Sequence, residues 1–311
     1  AVLNIAQAGD HIVASSTLYG GTYNLFKYTL AKLGIAVTFV EDQDDETEWS
    51  NAVRENTKLF FAETIGNPKV SILDINKVAN VAHKNGVPLI VDNTSATAYL
   101  CKPIEHGATL VVNSMTKYLT GNGTVTGGVV VDSGNFDWSA SDKFPSLSQP
   151  EPAYHGLKFH ETFGALAFTL HGIAIGLRDL GMTLNPQAAH YTLLGIETLS
   201  LRMQRHVENA EAIAKWLEQD PRVEAVTYAG LSSSPYFHRV AKICPKGAGA
   251  LLTVSLKAGY DACMKLVSEL NLFSHVANLG DTRSLVIHSA STTHRQLTPE
   301  QQTAAQAGQN V

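Results

Sequence analysis

Short continuous apolar runs alternate along the first half of the chain with stretches that are apolar every third or fourth residue. The runs are Ile12-Val13-Ala14, Val37-Thr38-Phe39-Val40, Leu59-Phe60-Phe61-Ala62, Pro88-Leu89-Ile90-Val91, Thr109-Leu110-Val111-Val112 and Val129-Val130-Val131. Runs of this length, bounded by Gly and polar turns, read as buried strands. Between them, Thr22 to Leu33 predicts a helix that stops at Gly34, and Asp74 caps a second helix. Ile75, Val78, Ala79 and Ala82 line one face of that second helix, which Gly86 closes. The acidic run Glu41 to Glu48 reads as a solvated loop and helix start. Strand and helix in alternation imply an α/β chain with a mostly parallel sheet and helices on both faces.

The second half is less regular. Ser133 to Gly164 carries Trp138, three prolines and the aromatic-rich phrase EPAYHGLKFHETFG; a connection of that length is expected to have a function. A helical region follows to Asp179. Leu184 to Asp220 then reads as one long helix with Met203, Val207, Ala210, Ala214 and Leu217 in register. A domain change is expected near Leu199, giving a large domain over 1–198 and a smaller α+β domain over 199–311. The smaller one is expected to hold strands Val223–Tyr228 and Ala250–Leu256, a helix Tyr260–Leu270, and two short strands around Phe273 and Val286.

Apolar content of 44% against 16% charged residues allows a sizeable core and argues against disorder. A formal net charge of −5 disfavours nucleic acid or an anionic membrane as partner. Cys101, Cys244 and Cys263 form no CxxC pair, which favours a reducing, cytoplasmic setting and offers no zinc motif. No apolar stretch is expected to span a bilayer and no leader opens the chain. The chain begins without Met and stops in polar QAGQNV, so flanking segments are expected at both ends.

In an open α/β sheet, ligands sit at the carboxyl ends of the strands. Asp92 ends one run there, and Ser114-Met115-Thr116-Lys117 follows the next. A carboxylate, two hydroxyls and a lone lysine are what pyridoxal phosphate needs. Its aldehyde takes an amine, its ring nitrogen an anion, and its phosphate hydroxyl donors. The same Asp also reads as a helix cap and the same Lys as a solvated charge, and spacing alone leaves both open. His155, His160, His288 and His294 lack the tight pairing of a metal site. Gly121-Asn122-Gly123 lacks the glycine pattern of a dinucleotide fold. Cys101 has no evident base beside it and reads as a small buried side chain.

The whole stretch VDNTSATAYLCKPIEHGATLVVNSMTKYLTGNGTVTGGVVVD resembles the cysteine and methionine metabolism family of pyridoxal-phosphate enzymes, and the resemblance runs over essentially the full chain. It implies the pyridoxal-phosphate transferase fold (fold type I). It also implies a role for each matching residue. Lys117 in NSMTKY forms the Schiff base and moves protons, while Ser114 and Thr116 bind phosphate. Asp92 faces the ring nitrogen and Thr94 the ring. Tyr19 in LYGGT stacks on the ring and takes part in proton transfer. Asn67 in ETIGNP contacts the ring hydroxyl, although Ile65-Gly66 departs from the commoner proline and small residue. Asn278, Leu279 and Ser291, in HVANLGDTRSLVIHSASTTH, match the segment that helps hold the substrate carboxylate.

The phrases EPAYHGLKFHETFG and GLRDLGMTLNPQAAHYTLLGIETLSLRMQRH resemble the sulfhydrylase branch more than the lyases. That branch implies γ-replacement on O-acetylhomoserine by sulfide. A γ-lyase or a cystathionine γ-synthase uses the same scaffold, and a non-catalytic member acting as a binding protein is the rival of another class. The family likeness further implies a homotetramer of two dimers that share active sites. By the same likeness, the glycine-rich phosphate turn and a neighbour's tyrosine and arginine precede Ala1, and the main carboxylate-binding arginine follows Val311.

Overall fold

The computed structural model describes residues 1–293, 295, 302 and 307–311. Six strands form the central sheet: β1 (His11–Ser15), β2 (Ala36–Val40), β3 (Thr57–Glu63), β4 (Leu89–Asp92), β5 (Leu110–Ser114) and β6 (Gly128–Asp132), in the order β2-β1-β3-β4-β5-β6. All neighbours pair in parallel except β5 and β6, which are antiparallel. The predicted α/β architecture with a mostly parallel sheet is therefore present.

Each central strand is buried on both faces, and its side chains alternate between two cores. Phe60, Ala62, Leu89, Val91 and Val111 pack on one side with the helix Ile75–Lys84 and with Trp49. Leu59, Phe61, Ile90 and Leu110 pack on the other, against Phe26, Trp138, Phe144 and Phe159. This two-sided burial is why the strands read as continuous apolar runs instead of alternating ones. Asp74 caps its helix as expected, its carboxylate accepting from Lys77 N at 3.2 Å.

The long connection Ser133 to Gly164 has a packing role. Phe136, Trp138 and Phe144 stack edge to face, Trp138 lies flat on Phe168, and Trp138 is 1% exposed. Burial of each such ring contributes about 2–3 kcal/mol, so the segment serves as the second core's floor.

Two expectations need correction. The helix over Leu184 to Asp220 is two helices, Pro186–Glu197 and Leu199–Glu218, broken at Thr198. Asn185 caps the first, accepting from Gln187 N at 2.8 Å. Met203, Val207, Ala210 and Ala214 are buried as the spacing implied. The second correction concerns the bilayer. The helical stretch Phe159–Leu180, 22 residues with a break in conformation at Gly164, is long and apolar enough by length and composition to cross a membrane. Phe159, Ala167, Phe168 and His171 are buried in the protein, whereas Leu166, Ile173 and Leu180 are exposed.

Toward the C-terminus, β7 (Val223–Thr227) pairs antiparallel with β8 (Thr253–Leu256). The helix Gly259–Glu269 follows, then β9 (Ser274–His275) and β10 (Leu285–Val286), paired in parallel. These lie where the periodicity put them. Ala248, Tyr228 and Val207 join the first core, so this part of the chain packs against the sheet side that carries the helix Ile75–Lys84.

Candidate active site

The carboxyl ends of β1, β3, β4 and β5 converge because the strands are parallel and in register. Glu63 and Asp92 are direct register partners at the ends of β3 and β4. Asp92 is partly buried, and Thr94 donates to its Oδ1 twice, from N at 2.9 Å and from Oγ1 at 2.6 Å. The same Thr94 hydroxyl accepts from Ser114 N at 2.8 Å, which ties the end of β4 to the end of β5. Burial raises the Asp92 carboxyl above its ordinary value, and the two Thr94 bonds pull it back only in part.

Lys117 lies in a tight π-type turn, Met115–Leu119, and its own backbone leaves helical geometry at φ −98°, ψ −128°. Gly127 N donates to Thr116 Oγ1 at 3.2 Å, and Met115 N donates to Gly127 O at 2.9 Å. The start of β6 therefore holds the lysine turn from behind. The Lys117 amine donates to Asn278 Oδ1 at 2.6 Å. Burial lowers its pKa from the ordinary lysine value, which raises the share of free amine at a given pH.

Residues distant in sequence lock this turn in place. Gly280 sits with φ +76°, and a Cβ there would lie 2.4 Å from Tyr118 N and 2.8 Å from the Lys117 carbonyl carbon. Only glycine lets the Asn278 segment approach so closely. Arg202 donates to Tyr118 O at 2.8 Å and to Gly195 O at 2.6 Å. It thereby satisfies a carbonyl at the end of one helix while pinning the residue after the lysine. Spacing gave no sign of Arg202, Gly280 or Glu63; only Glu63 left a local trace, a carboxylate at the end of an apolar run just as Asp92 is.

Tyr19 stands at the mouth with its ring 54% exposed, just before the short helix Gly20–Asn24. Its backbone N–H donates to Glu63 Oε1 at 2.6 Å. Asn67 follows Gly66, where a Cβ would fall 2.5 Å from Thr17 Cγ2 and 2.8 Å from Ser71 Oγ. The Ile65-Gly66 departure thus reflects close packing of the Asn67 turn on the Tyr19 loop. Leu279 is partly buried against the first core, next to the bonded Asn278. Ser291 is engaged elsewhere, its hydroxyl bonding His288 Nδ1 at 2.9 Å and contacting Met264 Sδ at 3.6 Å. Cys101 is buried as expected, beside Cys244. His294 lies outside the described residues.

This donor set fits pyridoxal phosphate. The ends of β4 and β5 bring a carboxylate (Asp92), the hydroxyl-bearing Ser114 and Thr116, and a half-buried amine whose pKa burial lowers (Lys117) into one stretch of the sheet edge. A large exposed aromatic ring borders the same strand ends.

Among characterised proteins, the chain is 48% identical over 314 residues to the O-acetyl-L-homoserine sulfhydrylase of Leptospira meyeri, covering 98% of this chain and 71% of that protein. It is 49% identical over 307 residues to the homocysteine synthase of Schizosaccharomyces pombe, with the same coverage. Among solved structures, an O-acetylhomoserine (thiol)-lyase from Campylobacter jejuni that carries a pyridoxyl-lysine phosphate superposes with a TM-score of 0.95. That pair shares 36% identity, over 99% of this chain and 73% of the other. The model of the family described as Cys/Met metabolism PLP-dependent enzyme matches residues 1–311, and with the site just described it places the chain in that family.

Proposed function

We propose that this chain catalyses γ-replacement on O-acetylhomoserine by hydrogen sulfide, giving homocysteine and acetate. One observation carries the chemistry. Lys117, its amine pKa lowered by burial, lies in the turn that follows β5, the strand paired with β4, which ends on the Asp92 carboxylate. The choice of branch rests on relatives near half identical over nearly the whole chain that are named O-acetylhomoserine sulfhydrylase and homocysteine synthase.

When bound, pyridoxal phosphate supplies an aldehyde for amine condensation and a sink for the electrons left when the substrate Cα–H bond breaks. Lys117 is the residue that would hold the aldehyde, and its Nζ, once freed, would take the Cα proton. The same amine would take a second proton from Cβ, acetate would leave Cγ with the C–O electron pair, and hydrosulfide would then bond at Cγ as protons return to Cβ and Cα, giving homocysteine. Asp92, ionised, keeps the ring nitrogen protonated, and Thr94 orients Asp92 from both its N–H and its hydroxyl. Ser114 and Thr116 would hold the phosphate, Tyr19 would cover the ring face and assist proton transfer, and Asn67 would meet the ring hydroxyl. Asn278 steadies Nζ, and Leu279 and Ser291 belong to the segment assigned to the substrate carboxylate.

The domain division near Leu199 and an assembly of paired dimers belong to the same reading. What supports assembly is the apolar surface left by Leu166, Ile173, Leu180, Leu193 and Leu201, all exposed. All three cysteines are free and buried, in keeping with a reducing cytoplasm. The test supplies O-acetylhomoserine with sulfide and, separately, methionine alone. Homocysteine from the first supports the reading. 2-Oxobutyrate from methionine without homocysteine from the first pair assigns a γ-lyase instead.

A further inference from the structure

Glu63 has no part in the reaction as set out above, yet it is the most deeply placed carboxyl at the convergent strand ends, 6% exposed at the end of β3. Three contacts define its surroundings. Its Oε1 accepts the Tyr19 N–H at 2.6 Å. It also accepts the backbone N–H of Asn67. Across the sheet, its register partner is Asp92. The two loops that carry the ring-stacking and ring-hydroxyl residues therefore meet on one carboxyl group, whose neighbour is the carboxylate assigned to the ring nitrogen.

We propose that Glu63 is the positioning residue of the cofactor site: it anchors Tyr19 and Asn67 through their N–H groups and holds the proton that leaves Asp92 as the sole anion of the pair. The proposal rests on the pyridoxal-phosphate reading given above. Two carboxylates on adjacent strand ends, shielded from water, cannot both ionise cheaply. Each carboxyl has two donors, Thr94 N and Oγ1 on Asp92 and the Tyr19 and Asn67 N–H groups on Glu63, so the deeper burial of Glu63 decides which holds the proton. Glu63 is the more buried and is pushed well above the ordinary carboxyl value, first by burial and then by the Asp92 charge. The groups facing Glu63 are the Asp92 carboxyl from β4, the Tyr19 N–H from the loop after β1, and the Asn67 N–H from the turn after β3. A neutral Glu63 still accepts the Tyr19 N–H at a carbonyl Oε1, and the pull of the two N–H bonds toward the charged form is outweighed by burial and the Asp92 charge.

Two variants separate anchoring from packing: E63A removes the acceptor, and E63Q keeps an acceptor oxygen without a titrating proton. Binding of pyridoxal phosphate, followed by absorbance, is expected to weaken roughly tenfold or more in E63A and to be largely rescued in E63Q. Equal affinity in E63A and wild type overturns the anchoring role, and so does equal weakening in both variants. The second arm needs no cofactor. A carboxyl raised in the folded state binds more protons there than in the unfolded chain, so its contribution to stability falls as pH rises from about 4.5 upward. The cofactor-free E63Q chain is expected to lose less stability than wild type over that rise, measured by urea midpoints. Identical slopes overturn the proton-holding role. A wild-type chain that binds no pyridoxal phosphate defeats the proposed function, and the urea arm still decides the protonation of Glu63.

Discussion

The two halves of the site are built in different ways. Asp92, Glu63, Thr94 and Ser114 sit on the ends of adjacent strands, and sheet register alone brings them together. Lys117 is held by contacts that cross long stretches of sequence: Asn278 on its amine, Gly280 on its carbonyl carbon, Arg202 on the carbonyl of the next residue. The first half inherits the rigidity of a doubly covered sheet. The second depends on the C-terminal part docking correctly, so a change far from the lysine is expected to reach its chemistry without touching the cofactor.

Substitutions in each half test that contrast. D92N removes the anion without moving the strand end, and is expected to lower the rate of γ-replacement by about 10²- to 10³-fold while leaving thermal stability near that of wild type. Kinetics beside a melting curve check both parts. In the other half, G280A must both strain a positive φ and displace Tyr118 N, which a Cβ would approach to 2.4 Å. It should cost about 2–4 kcal/mol of stability and lower activity with it, as read by urea denaturation. R202M removes the side-chain donor of Tyr118 O and one of the donors of Gly195 O, which still accepts from Thr198 N and Thr198 Oγ1. The expected loss is about 2 kcal/mol, and the rate should fall with cofactor affinity little changed. The smallest effect is expected from N278A, which frees the Lys117 amine to wander. The rate of γ-replacement should drop by up to about tenfold, with stability within roughly 1 kcal/mol of wild type. Were D92N to unfold the chain, or N278A to cost more than G280A, the contrast between the halves would fail.

The same contrast explains what could be read from the sequence. Apolar runs such as Leu89-Ile90-Val91 announce strands because both faces are buried, and a carboxylate at the end of such a run marks the ligand side. The pattern put Asp92 and Lys117 at those ends, while the roles expected of them came from the family likeness. Glu63 lies one residue beyond the apolar run Leu59-Phe60-Phe61-Ala62, because the strand runs one residue further than its apolar part. The break at Thr198 carries no proline or glycine of its own. Just before it, Gly195 closely approaches the lysine turn, where a Cβ would sit 2.4 Å from Leu119 O. Helical periodicity cannot report a contact of that kind. Arg202 and Gly280 are invisible for the same reason, since each is defined by what it touches about 80 to 160 residues away. The segment Ser133 to Gly164 was expected to be functional from its length, whereas its aromatic rings floor the second core.

The most direct test of the account is borohydride reduction of the chain loaded with pyridoxal phosphate, followed by mapping of the labelled peptide. Because burial lowers the Lys117 pKa from the ordinary lysine value, the account predicts a single adduct, on Lys117. Label spread evenly over surface lysines such as Lys84 and Lys102, or none at all, would contradict it.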